Sequence, residues 1–481
     1  MSAPATLLIA GTWRQGRGGT FDSINPVDGS VAATLSLATD DDVAEAVASA
    51  RAAFEDPAWQ RLKPHQRARL LYKLGDLTEI AQEELARAQS ADNGKTLAEC
   101  RSQAAAAAGV FRYFAALCET VEGHVTPQRG ESVSFAIYEP YGVVAAITPW
   151  NSPLTLDAQK LAPALAAGNA VVLKPSEVTS QVALIYGRLA GEAGFPPGIV
   201  NVVTGMGDTG RALVAHPDVD LVSFTGGTAA GRAIAEMAGR RLCPVLLELG
   251  GKSPNIIFAD ADFDAAVAGA AKGIFGSVGQ ACTAGSRIFV EAEMYDRFVD
   301  ALVAKAAAYD PGLPNDPAAK IGPMASFAHR DGVAAAVDRA RAEGANVRCG
   351  GARPDDQRRK GGAFYMPTVL TGLTNRSVTC QCEIFGPVAV VLPFETETDL
   401  IAQANDTEFG LAAGVWAGDA SKAWRIARAM RAGTVWINCY KDGSISTPFG
   451  GHRQSGIGRE KGVAGLRAYS QTKGILWDLG D

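Results

Sequence analysis

The chain is poor in the features that would commit it to a membrane, a nucleic acid or a metal. No stretch reaches the ~18 uninterrupted apolar residues of a membrane span. The alanine run over 104–108 is short and is bracketed by Arg101 and Arg112. Segment 1–10 is apolar but has no basic residues before it, so no signal peptide is expected. Basic residues are not in excess: 45 Lys and Arg face 51 Asp and Glu, a net charge of −6. That excludes an extended phosphate-tracking surface and leaves room only for a local pocket holding one phosphate-bearing cofactor. The five histidines are dispersed and no HExxH occurs, so no catalytic metal is expected. Cys380 and Cys382 form a C-x-C pair, but no second pair or His cluster completes a zinc site. The eight cysteines are scattered and read as reduced thiols, which makes a cytoplasmic location the expectation.

What is present describes a packed globular protein. With 481 residues, 47% hydrophobic and 20% charged, the chain is too long for one ordinary core and suggests two to four structural units. Its 53 glycines exceed the roughly 7% average, so tight turns and close backbone approaches are expected. From 39 to 120 the pattern is helical. Asp40 to Asp42 can cap a first helix with apolar positions Val43, Ala46, Val47, Ala50 and Phe54, and longer helices follow over 64–90 and 95–119.

Between 138 and 258 short apolar runs alternate with helical segments. The runs are 143–147, 170–173, 199–203, 221–224 and 245–247. Wholly apolar short strands separated by helices indicate a parallel sheet covered on both faces, a doubly wound, nucleotide-binding texture. A second strand–helix series runs through 255–258, 287–290, 388–392 and 434–437, indicating a second α/β domain. Segments 122–139 and 468–479 fit neither series and read as edge strands reaching away from the body.

Five clusters carry chemistry. Glu248-Leu249-Gly250-Gly251-Lys252 puts a carboxylate at a strand end beside flexible backbone; taken alone, a Glu capping a turn is an equal reading. Gly279-Gln280-Ala281-Cys282-Thr283 sets a cysteine among small residues, although an inert buried thiol is the commoner fate of a cysteine. Pro149-Trp150-Asn151 follows a strand and offers a neutral carboxamide donor to a developing oxyanion. Lys174-Pro175-Ser176-Glu177 pairs a cation and a carboxylate that can hold ribose hydroxyls, or serves as an ordinary surface loop. Phe224-Thr225-Gly226-Gly227 opens a helix after a strand, where backbone N–H groups suit a pyrophosphate. The G-x-G-x-x-G fingerprint is absent from that turn.

The order of these clusters, with Glu383-Ile384-Phe385-Gly386-Pro387 and Pro448-Phe449-Gly450-Gly451 after them, closely resembles the aldehyde dehydrogenase superfamily from about residue 7 to 473. The resemblance implies a Rossmann-like cofactor domain, a second α/β catalytic domain and a small β oligomerisation element. It implies oxidation of a small-molecule aldehyde to its acid with NAD. Cys282 becomes the nucleophile and Glu248 the base that activates the hydrolytic water. Asn151 and the backbone N–H of Cys282 become the oxyanion hole. Lys174 and Glu177 resemble the adenosine-ribose ligands, Glu383 the nicotinamide-ribose ligand and Phe385 the ring packed near it. Trp150, Phe224, Gly226, Gly227 and Leu249 complete the cofactor set. The carboxylate of Glu177 favours the ribose 2′-OH of NAD over the 2′-phosphate of NADP.

The chain also departs from the family pattern. Gly227 stands where relatives often have Ser. Ser152, Gln159 and Gly443 stand where many carry aromatic rings, while Leu156 and Phe449 keep an apolar lining beside Ala281 and Thr283. A wider and more polar mouth is expected, fitting an aryl aldehyde or a substituted semialdehyde. Residues 1–121 with 143–250 are expected to form the NAD-binding domain and 251–450 the catalytic domain. Segments 122–142 and 466–481 are expected to form the oligomerisation element of a homodimer or homotetramer. Two other readings compete: a CoA-acylating relative, which would lack the base at Glu248, and a non-catalytic binding or structural protein on the same fold.

Overall fold

In a computed structural model of the protein, residues 5–127 and 130–480 are described; positions 1–4, 128–129 and 481, where the expected segments 1–121, 122–142 and 466–481 reach, lie outside the described residues. The apolar runs become strands buried along their whole length: Val143–Ile147, Ala170–Lys174, Val200–Val202 and Leu221–Thr225, with Val245–Glu248 nearly so. These five pair in parallel, in the spatial order third, second, first, fourth, fifth. Antiparallel strands close the edges, Leu7–Ile9 and Thr12–Arg14 on one side and Gly456–Ile457 on the other. The order reverses between Val143–Ile147 and Leu221–Thr225. Neighbouring crossovers leave in opposite directions there, so a crevice opens beyond the carboxyl ends of the strands.

The second series forms a seven-stranded sheet ordered Asn346–Cys349, Thr368–Thr371, Val388–Phe394, Arg287–Glu291, Pro254–Ile257, Ala412–Trp416 and Thr434–Ile437. All are parallel except the pairing of Asn346–Cys349. Alternate residues enter separate cores: Ile256, Phe289, Val390 and Leu392 pack on one face, and Ile257, Ile288, Val290 and Val391 on the other. That period of two is the strand geometry itself. Ala412–Trp416, Thr368–Thr371 and Asn346–Cys349 went unread in the sequence. Glycine in the first of them and short length in the others weaken the apolar signal.

The helical region differs from expectation in detail. Thr39, not the acidic cluster, caps Asp40–Glu55: its hydroxyl accepts from the Asp42 N–H at 3.4 Å while the Asp42 carboxylate accepts from the Thr39 N–H at 3.0 Å. The helix expected over 64–90 is two, Pro64–Ile80 and Gln82–Asn93, because the backbone leaves helical geometry at Ala81. The turn there buries Leu85 and Ala86 in the core. The following helix is Leu97–Leu117, with Thr96 as its cap.

Segments 122–139 and 468–479 meet in space. Ser132–Pro140 pairs antiparallel with Ser470–Asp478 over nine residues, and His124–Val125 adds a third strand. Among the described residues no helix is long and apolar enough to cross a membrane, and no cluster of His, Cys, Asp and Glu could hold a metal ion.

Candidate active site

The crevice at the reversal point is a cleft lined by Trp150, Asn151, Gly226, Glu248, Cys282 and Phe385, among others. The chain reaches it from both sheets. Asn151 lies just beyond Val143–Ile147, and Glu248 ends its own strand. Six residues later the chain enters the second sheet at Pro254–Ile257. Cys282 follows Phe263–Phe275 and a turn in which Ser277, Val278 and Gly279 all have positive φ. Gly279 permits this turn: a Cβ there would lie 2.1 Å from the Gly386 carbonyl oxygen.

The carboxamide of Asn151 is buried and donates one N–H to the Gln280 carbonyl at 3.0 Å. An amide has a second N–H, and Asn151 lines the cleft that holds Cys282. Gln280 is fixed in turn, its side-chain oxygen accepting from the Ala325 N–H at 3.0 Å. The loop that carries Cys282 is therefore held from both sides.

Glu248 is buried, and among the described residues neither carboxylate oxygen has a hydrogen-bond partner. Burial, then the neighbouring Glu460, pushes its carboxyl well above the usual range. Glu460 is ion-paired with the buried Lys160 at 2.7 Å, and Lys160 also donates to Ser223 at 3.1 Å. Cys282 is half-buried; burial and then Glu248 and Glu383 push its thiol up to about 12, opposed by Lys441 and Lys461. The cleft thus holds the thiol protonated beside a carboxyl with unusually high proton affinity.

A second groove continues from the first, sharing Pro149, Trp150, Thr225, Gly226 and Gly227. It runs along Phe224 to Lys174 and Glu177, whose charged ends lie 3.7 Å apart. Gly227 begins the helix Thr228–Gly239 and contributes no side-chain cap, so the first N–H groups stay free. The Thr225 and Thr228 hydroxyls nearby are buried without partners. Orphan donors at a helix start, with a cation and carboxylate farther along, fit a dinucleotide. At the near end Glu383 accepts from the Gly251 N–H at 3.0 Å, and Trp150 meets Phe385 edge to face at 5.3 Å.

Gly250 keeps Glu383 in place. A Cβ at position 250 would lie 2.3 Å from a Glu383 carboxylate oxygen. The carboxylate is the flexible end of its side chain, so Gly250→Ala is expected to fold and displace it. Affinity for NAD should fall about 10- to 100-fold, the scale of a lost hydrogen bond to a charged group. Titration of the folded variant with NAD measures this; unchanged affinity would separate Glu383 from the cofactor.

Every expected catalytic and cofactor residue borders one of these grooves. Among the expected substrate residues, Leu156 and Phe449 line the cleft, and Ala281 and Thr283 flank Cys282. Ser152, Gln159 and Gly443 are not among its lining residues. Ser152 begins Pro153–Ala167 and accepts from Gln103 at 3.5 Å, Gln159 lies farther along that helix, and Gly443 is exposed.

Other participants went unread. His329 packs on Trp150 at 5.0 Å and its Nε2 contacts the Phe385 carbonyl at 2.8 Å, a contact no sequence signal announces. Glu460 stands 212 residues from Glu248 in the chain. A G-x-G-x-x-G does occur at Gly205-Met206-Gly207-Asp208-Thr209-Gly210, after Val200–Val202 and opening Gly207–Ala215, and Gly207 and Gly210 border the second groove. That signal was legible and passed over.

Sheet order and crevice place the molecule in the class of dinucleotide-binding α/β folds. The chain belongs to the aldehyde dehydrogenase family, whose model matches residues 13–475. It is 43% identical over 467 residues to an aldehyde dehydrogenase of Alternaria alternata, covering 96% of this chain and 93% of that protein. It is 42% identical to human retinal dehydrogenase 2, covering 98% and 91%. Among solved structures it resembles betaine aldehyde dehydrogenase from Staphylococcus aureus in complex with NAD+, with a TM-score of 0.97, 40% identity and coverage of 99% and 95%.

Proposed function

We propose that the chain oxidises an aldehyde to its carboxylic acid with NAD+, through a thiohemiacetal and then a thioester on Cys282. One observation carries this reading: Cys282, Glu248 and Asn151 share a cleft continuous with a groove suited to a dinucleotide. The Cys282 sulfur bonds to the carbonyl carbon as its proton passes to solvent water, and the oxygen becomes an oxyanion within reach of the Asn151 carboxamide. Removing one such donor typically costs about 10²–10³ in rate. Bound NAD+ supplies a hydride acceptor beside that carbon. Collapse of the oxyanion expels the hydride and leaves the acyl group on sulfur. Glu248 then takes a proton from water, whose oxygen attacks the thioester and releases acid and thiol.

A carboxyl whose proton affinity is raised toward the working pH is a better base than an ordinary one, so the burial of Glu248 serves the hydrolysis step. The carboxylate of Glu177 supports NAD over NADP, because a 2′-phosphate would meet a like charge. NADH formation from aldehydes without CoA tests the reading. An absolute requirement for CoA would favour the acylating alternative, and NAD binding without turnover across a broad aldehyde panel would favour a non-catalytic protein.

The same reading assigns 1–121 with 143–250 to cofactor binding, 251–450 to catalysis, and 122–142 with 466–481 to assembly of a homodimer or homotetramer. Ser470–Asp478 supports the last assignment: it is an edge strand with Leu476 76% and Trp477 61% exposed. An unpaired edge with apolar side chains invites a second copy of the chain. Eight free cysteines, one of them the exposed Cys382, support a reducing, cytoplasmic setting.

A further inference from the structure

Two lysines outside the roles above lie on loops behind the cleft wall, one next to Tyr440 and one against Phe449. Lys441 follows Tyr440, whose hydroxyl donates to the Thr283 carbonyl at 3.0 Å and so ties this loop to the residue after Cys282. Lys441 holds a left-handed backbone with φ of 59°, as does Asn438 with 52°. Non-glycine residues in that region are strained and gather at ligand clamps. The next residue, Asp442, is anchored to Lys272 at 2.8 Å. Lys461 also has positive φ, at 60°, and its ammonium lies 4.9 Å from the ring centroid of Phe449, which lines the cleft.

Neither ammonium makes an ion pair or hydrogen bond among the described residues, yet both are half-buried. The nearby acids are otherwise engaged or hold their proton more tightly than usual. Glu99 is paired with Lys95 and Glu460 with Lys160, while burial raises the proton affinity of Glu248. Both lysines act on the Cys282 sulfur as positive charges, and Phe449, against which the Lys461 ammonium rests, lines the cleft. Two unpaired cations near an apolar cleft attract an anion and disfavour a cationic substrate.

We infer that Lys441 and Lys461 select an aldehyde carrying an anionic group, whose charge they receive while the carbonyl meets Cys282. This rests on the proposed aldehyde oxidation and narrows the substrate from any polar aldehyde to an acid semialdehyde or a phosphorylated aldehyde.

The experiment compares kcat/KM for succinic semialdehyde with butanal, and for glyceraldehyde 3-phosphate with glyceraldehyde, at low and high salt. The wild-type enzyme is expected to prefer one anionic member at least 10-fold, the preferred pair identifying carboxylate or phosphate, with salt shrinking the preference. Lys441→Met and Lys461→Met should each lower that ratio about 10- to 100-fold, mainly through KM, and Lys441→Glu should reverse it. If the lysines only assisted the thiolate, every aldehyde would slow alike. An unchanged ratio in the variants, or no anionic preference in the wild type, overturns the inference while aldehyde oxidation stands. No NADH from any aldehyde overturns both.

Discussion

Cys282→Ala is expected to lower aldehyde oxidation by about 10⁴–10⁶-fold, because without the sulfur no covalent intermediate forms and the remaining groups supply only positioning. The loss should fall on kcat, with NAD affinity little changed, since Lys174, Glu177, Glu383 and the helix start at Gly227, the groups proposed to hold the dinucleotide, are left in place. Cys282 sits half-buried in a loop fixed through Gln280 and Gly279, so removing one sulfur should leave the fold intact. NADH production and NAD titration of the same sample give the answer. A variant that still turns over at a substantial fraction of the wild-type rate would remove the nucleophile assignment and the mechanism with it.

Glu248→Gln separates the two halves of the reaction. A carboxamide keeps shape and volume but cannot take a proton from water. One NADH per active site should appear in a burst, followed by a steady state slowed about 10²–10⁴-fold as acyl-enzyme accumulates. The pH dependence has a definite sign. The base must be deprotonated, and burial and Glu460 hold the Glu248 carboxyl well above the usual range. Hydrolysis of the preformed thioester should therefore rise with pH in the wild-type enzyme, at values where an ordinary carboxylate would already be fully ionised. In the variant that limb should vanish. Measuring on the preformed thioester keeps the titration of Cys282 itself out of the profile. Equal deacylation rates at all pH values would mean that another group activates the water.

Much of this site was legible before any coordinates existed, because its parts are strand ends. A run such as Val143 to Ile147 must be buried on both faces, so a polar residue just beyond it, Asn151 or Glu248, has only the sheet's carboxyl edge to occupy. The G-x-G-x-x-G at Gly205 is equally legible in the sequence, and its Gly207 and Gly210 border the second groove. The aromatic-deficient positions misled in another way. Ser152, Gln159 and Gly443 were read as widening the cleft, yet they do not line it, because helix phase and loop course decide where a residue points.

Local sequence therefore determined the elements, their layering and the candidate groups, since apolar periodicity and strand-end chemistry act over a few residues. Tertiary structure alone decided what depends on distance through space. It joined Glu460 to Lys160 across 300 residues, left Glu248 without a partner among the described residues, laid His329 on Trp150, and set the Lys461 ammonium against Phe449. Burial and Coulomb interaction depend on the final packing of distant segments, and no short window of residues contains that information.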